Sequence, residues 1–98
     1  MVQLEILKTD SFMKWIDGLR DIRARSRILV RIERLSQGNP GDKRIVGDGV
    51  SELRIDCGPG YRVYYKRISQ NRIVLPIGGD KDSESGDIKT ALRLSHNL

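Results

Sequence analysis

Residues 52–82 read ELRIDCGPGYRVYYKRISQNRIVLPIGGDKD, from Glu52 to Asp82, and the alternation within them decides the fold. Leu53, Ile55 and Cys57 alternate with Glu52, Arg54 and Asp56, and Tyr61, Val63 and Tyr65 alternate with Arg62, Tyr64 and Lys66. A period of two sends one set to each face of a strand, which predicts short strands with one apolar and one polar face. The polar face would carry Arg54, Arg62, Tyr64 and Lys66. A third apolar run, Ile73 to Ile77, ends in a Gly78-Gly79 turn that delivers Lys81 to the rim of the same sheet. Cations grouped on one outward face are the footprint of a phosphate backbone.

Outward from this stretch, Gly58-Pro59-Gly60 and Ser69-Gln70-Asn71 supply the reversals, and Arg44 to Val46 joins Val50 to Cys57 through Gly47-Asp48-Gly49. Such short connections allow only antiparallel neighbours, so the C-terminal half is predicted to be a four-stranded meander. Pro76 cannot donate a ladder hydrogen bond, which predicts an edge position or a bulge. The alternating residues Val2 to Leu7 form a first strand that must join the sheet separately. Phe12, Trp15, Ile16 and Leu19 recur at helical spacing behind the capping oxygens of Thr9, Asp10 and Ser11. A second helix runs from Arg20 or Asp21 to Ser36, with Ala24, Ile28, Ile32 and Leu35 on one face and Gly38 as its stop. A last helix, from Ser83 or Glu84 to His96, carries a narrow apolar stripe of Ile88, Ala91, Leu92 and Ser95. The predicted class is α+β: an N-terminal strand and a helical hairpin packed on a mostly antiparallel twisted sheet, with a C-terminal helix.

At 98 residues and 38% hydrophobic content the chain suits one domain, residues 1–98, with a modest core. The net charge of +5 calls for a partner of opposite sign, and most of the 18 Lys and Arg residues are Arg, which suits bidentate phosphate contacts. The single cysteine, Cys57, cannot close an internal disulfide and falls in phase with the core. With no long apolar run and no signal-like N-terminus, no membrane association is expected and a cytoplasmic location is. One His and one Cys, far apart, give no metal-ligand spacing, and Gly78-Gly79-Asp80-Lys81 lacks the GxxxxGK[ST] pattern, so neither metal nor nucleotide cofactor is predicted.

Arg20, Arg23, Arg27, Arg31 and Arg34 follow spacings of three, four, four and three, which places them on one helical stripe. Stacked like charges cost roughly 0.2 to 0.5 kcal/mol per pair in an isolated helix. The stripe is either a solvated face or a contact for a polyanion, RNA or an acidic protein helix.

Several segments in order, Phe12-Met13-Lys14-Trp15-Ile16, Arg31-Ile32-Glu33-Arg34-Leu35, Val46 to Arg54, Gly58-Pro59-Gly60-Tyr61-Arg62-Val63-Tyr64-Tyr65 and Gly78-Gly79-Asp80-Lys81, resemble the RelE/ParE superfamily of toxins from toxin–antitoxin modules, and within it the HigB-like branch of addiction-module killer proteins. The resemblance covers nearly the whole chain. It implies the RelE-like fold and a type II toxin that acts as a ribosome-dependent mRNA endonuclease. The implied partners are mRNA, the ribosome and a cognate antitoxin, a helix-turn-helix protein of the HigA kind, through which alone operator DNA would be bound. A ParE-like DNA gyrase inhibitor and a catalytically inactive RNA- or antitoxin-binding module are the alternatives.

Metal-independent RNA cleavage requires a 2′-oxygen to attack the adjacent phosphorus, so charge on a crowded phosphorane must be stabilised and the 5′-oxygen protonated. Arg62 matches the family's transition-state arginine, and Lys81 the position of a second cation. Arg54 joins them as a catalytic candidate, Lys66 as an RNA-binding one, and Tyr64 as a platform for an unpaired base. The chain departs from the family in two places. Pro76 stands where relatives carry an aliphatic residue, and no tyrosine follows Lys81, which leaves His96 and the carboxylates Asp80, Asp82, Glu84 and Asp87 without an assigned general base among them.

Overall fold

In the computed structural model, which describes residues 3–98, the stretch from Glu52 to Asp82 forms the middle of a mixed sheet. The elements in chain order are β1 (Glu5–Lys8), α1 (Asp10–Asp17), α2 (Ile22–Ser36), β2 (Lys43–Gly47), β3 (Val50–Ile55), β4 (Tyr61–Ser69), β5 (Arg72–Leu75), β6 (Gly78–Asp80) and α3 (Glu84–Ser95). The sheet order is β1-β5-β4-β3-β2, with β6 paired to β4. The short turns make β2 to β5 antiparallel as their length requires. The first strand joins separately, parallel to β5 with Glu5 opposite Arg72; Val2 of its expected span lies outside the described residues.

Side-chain oxygens start the first two helices. Thr9 Oγ1 accepts from the Phe12 N–H at 3.0 Å and an Asp21 carboxylate oxygen from the Ala24 N–H at 3.2 Å. Because Asp21 is the cap, Arg20 lies before α2, and the expected five-residue helical stripe starts at Arg23. Phe12 and Ile16 of α1 and Ala24, Ile28, Ile32 and Leu35 of α2 pack on Leu53, Ile55, Val63, Ile73 and Leu75 of the sheet. Cys57 sits partly buried at the margin of this core.

Pro76 is placed differently from the expectation of an edge or a simple bulge. β5 runs between β1 and β4, and it stops at Leu75. The Pro76 carbonyl accepts from Thr9 Oγ1 at 2.7 Å, and the Ile77 carbonyl accepts from the Tyr64 N–H at 3.1 Å. Beyond this break β4 exchanges partners, from β5 along its C-terminal half to β6 at Tyr61–Val63. Gly78-Gly79 is therefore a strand, not a turn, and Gly79 stands opposite Arg62. Both glycines lie in close approach: a Cβ on Gly78 would overlap the Trp15 ring, and one on Gly79 would force the Asp87 carboxylate aside.

The second face of the sheet is not open to solvent along its length. α3 lies across it, and Val50, Tyr64 and Ala91 form a second core flanked by Val46, Ile77, Ile88 and Leu92. Tyr64 is 0% exposed and Arg62 7%, which corrects the expectation that both face solvent. An apolar stripe on a helix must bury itself, and Val50 and Tyr64 are the apolar surface available on that face. The cationic end of the sheet at Arg54 stays exposed.

Leu53 has no exposed surface. Leu53→Ala is expected to destabilise the protein by about 2 to 5 kcal/mol, read from chemical denaturation.

Candidate nucleic-acid interface

Strand register places the cations. Arg54 on β3 lies directly opposite Arg62 on β4, and Gly79 of β6 lies on the other side of Arg62. Like charges directly opposite across an antiparallel pair destabilise it, and here the Arg62 charge is offset by Glu84 and Glu52, while Arg54 stays exposed. Lys81 leaves the end of β6 on the same rim. A Cβ on Gly60, whose φ is +82°, would stand 3.5 Å from Arg62 Nη1 and 3.6 Å from the Lys81 Cβ. The Gly58-Pro59-Gly60 turn thus gives the backbone a close path between the two side chains.

Arg54, Arg62 and Lys81 line one cleft of about 440 Å³ together with that turn and with Asp42 and Asp56. The three residues singled out as catalytic candidates converge there. Asp42 and Asp56 are acids that the sequence pattern does not single out, Asp56 being one polar member of its strand and Asp42 part of a turn. Of the acids expected near the rim, Asp80 and Asp87 are engaged at the start of α3. Asp80 Oδ1 accepts from the Ser83 N–H at 3.1 Å, and Asp87 Oδ2 accepts from Ser83 Oγ at 2.5 Å. His96 lies at the C-terminal end of α3, outside the cleft lining.

Behind the cleft, four side chains from four elements close a ring. Arg62 Nε donates to Glu84 Oε2 at 2.9 Å and lies 3.9 Å from Glu52 Oε1; Arg44 Nε donates to Glu52 Oε1 at 3.1 Å, and Arg44 Nη2 lies 3.9 Å from Glu84 Oε2. Arg62 Nη1 also donates to the Tyr61 carbonyl at 3.1 Å. Glu52 is raised above the usual carboxylate range, first by burial and then by the neighbouring Glu84, while Glu84 is lowered, first by its hydrogen bond from Arg62. Burial pushes the Tyr64 hydroxyl well above its ordinary value, helped by the Glu52 charge.

The remaining RNA-binding candidates divide. Tyr64 is sealed beneath α3 and has no free face for a base. Lys66 Nζ donates to the Ser95 carbonyl at 3.0 Å, so it anchors the end of α3. Arg31 donates to the carbonyls of Arg54, Pro40 and Asp42 at 2.7, 2.9 and 3.0 Å, which fixes the cleft wall instead of leaving a free cation on α2. Arg27 and Arg34 line a second groove of about 490 Å³ with Val30, Ile55 and Asp56, and Asp56 is common to both depressions. Arg20 and Arg23 lie outside both depressions. Among the described residues no three His, Cys, Asp or Glu side chains are grouped as for a metal ion, and no helix is long and apolar enough to cross a membrane.

No family model matches the chain. An uncharacterized protein of Haemophilus influenzae is 44% identical over 95 residues, spanning 97% of this chain and 96% of that protein. The solved structure of an E. coli toxin RelE double mutant in the free state superimposes with a TM-score of 0.74, covering 94% of this chain and 97% of that one at 12% identity. The α+β architecture with a C-terminal helix is thus the RelE fold.

Because Arg62 is held between two carboxylates, Arg62→Ala is expected to cost stability, on the order of 1 to 3 kcal/mol, as hydrogen bonds to charged groups disappear. This replaces the expectation of a solvent-facing side chain. Glu84 has its pKa lowered, so its pairing stabilises the fold above the ordinary value of 4.5 and is lost as pH falls through the lower one. Stability measured against pH should show this acid loss in the wild type and a smaller one in Arg62→Ala.

Proposed function

We propose that this chain, which belongs to one family with the Haemophilus influenzae protein and has the RelE fold, is the toxin of a type II toxin–antitoxin module and cleaves mRNA on the ribosome. The observation that carries the proposal is the convergence of Arg54, Arg62 and Lys81 on one cleft beside the Gly58-Pro59-Gly60 turn. The protein whose structure it matches is described as a toxin.

In this reading an RNA phosphodiester sits in the cleft. Its 2′-oxygen attacks the adjacent phosphorus, the bond to the 5′-oxygen breaks, and the products are a 2′,3′-cyclic phosphate and a free 5′-hydroxyl. Arg62 offers its Nη groups to the phosphorane oxygens, a preorganised donor of the kind worth about 3 to 4 kcal/mol in transition-state stabilisation. Arg54 holds the neighbouring phosphate, and Lys81, exposed at the rim, gives a proton to the departing oxygen. Asp42 and Asp56 are the carboxylates positioned in the cleft to take the 2′-proton. No metal or cofactor is assigned a role.

The adjoining groove extends the anionic path towards Arg27 and Arg34. The helix that carries them is our candidate surface for the antitoxin: Val30, 50% exposed, lines the groove with those arginines, and Ile22 and Leu29, exposed at 74 and 43%, lie outside it on α2, which suits a segment with acidic and apolar residues. The finer assignments, the HigB-like branch, a helix-turn-helix antitoxin and repression of the operon by the complex, belong to the same proposal, as does action in the cytoplasm.

Mapping transcript 5′-ends after induction tests the activity. Phased cleavage within codons, abolished by Arg62→Ala at equal soluble expression, is the expected result. DNA breaks with intact transcripts would replace the nuclease with a gyrase poison, and no growth defect would leave a binding module. Charge removal at Arg27 and Arg34 is expected to weaken RNA binding and to flatten its salt dependence by about one unit of slope for each phosphate no longer neutralised.

A further inference from the structure

Arg62 is an unusual choice for a group that must meet a substrate, because only 7% of it is exposed and much of its hydrogen-bonding capacity is committed inside the protein. The commitment is one-sided. Nε faces Glu84 at 2.9 Å and Glu52 at 3.9 Å, and Nη1 is tied to the Tyr61 carbonyl at 3.1 Å. Neither glutamate nor Arg44 lines the cleft, whereas Arg62 does. The guanidinium is therefore gripped from behind and presented by its far end.

We propose that Glu84, backed by Glu52, is the positioning residue for Arg62, clamping its Nε edge so that the Nη end meets a substrate phosphate in a fixed direction. The clamp is built from the fold. Arg44 comes from β2, Glu52 from β3, Arg62 from β4 and Glu84 from the first turn of α3. Each member is within 4 Å of two others, so the ring has alternating sign and no net charge. Its neutrality matters for the mechanism. A carboxylate so close weakens the ground-state pull of Arg62 on any anion, so what the contact supplies is direction, felt most when charge develops on the phosphorane. Glu52 Oε2 is buried without a protein partner, which marks the rear of the ring as sealed rather than available to substrate.

The catalytic consequence rests on the nuclease reading, and the test separates the two. In ribosome-programmed cleavage, Glu84→Ala is expected to lower kcat by about 10- to 100-fold with KM within about threefold, the cost of a misdirected group. Glu84→Gln, whose amide oxygen can still accept from Nε, should recover most of that loss. Equal loss in both variants, or no loss in folded Glu84→Ala, overturns the proposal. A wild type that cleaves no RNA overturns the nuclease reading instead. The clamp itself is then decided by NMR of the Arg62 Nε–H, which should be protected from exchange in the wild type and in Glu84→Gln but not in Glu84→Ala. Titration with a non-cleavable 2′-deoxy trinucleotide should leave that protection in place; its loss on binding would make Glu84 a lock that the ligand displaces and would overturn the positioning role.

Discussion

The ring of Arg44, Glu52, Arg62 and Glu84 is the constraint from which the cleft follows. It joins three adjacent strands to the first turn of the last helix, so the position of α3 and the direction of Arg62 are set by the same contacts. A paired charge that is nearly buried is held by penalty as much as by attraction: removing one partner leaves another uncompensated. The opposite pKa directions of Glu52 and Glu84 express this, one carboxylate resisting ionisation because it is sealed and the other favouring it because Arg62 donates to it.

The second constraint is steric. β6 threads between Trp15 of α1 and Asp87 of α3: a Cβ at Gly78 would run into the Trp15 ring, and one at Gly79 would have to displace the Asp87 carboxylate. The break at Pro76 and Ile77 lets β4 take β6 as a partner, with Gly79 opposite Arg62, and it carries Lys81 onto the same rim. The two helices of the first core fix the other side of the sheet and leave this end free to serve as a site.

Much of this is legible in the residues. Alternation from Leu53 to Tyr65 identifies the core face, caps at Thr9 and Asp21 locate the helix starts, and the short turns set the meander. The convergence of Arg54, Arg62 and Lys81 follows from strand phase and from the position of Lys81 after the glycines. What the pattern does not reveal has two physical sources, the docking of α3 and the path of the loop before β2. Val50 and Tyr64 share a face with Arg62, and α3 bears an apolar stripe at Ile88, Ala91 and Leu92; each needs the other, but read separately they leave that face open to solvent. Once α3 is docked, Tyr64 and Lys66 become structural, and Glu84 meets Arg62. Arg31 cannot be told from Arg27 by spacing, because its partners are backbone carbonyls: Arg54 on β3, and Pro40 and Asp42 in a loop whose path no pattern encodes. Asp42 and Asp56 become members of the cleft for the same reason.

A side chain at residue 79 would have to push aside the Asp87 carboxylate and with it the Ser83 contact that opens α3, so a change on β6 would be felt first in how the last helix is anchored.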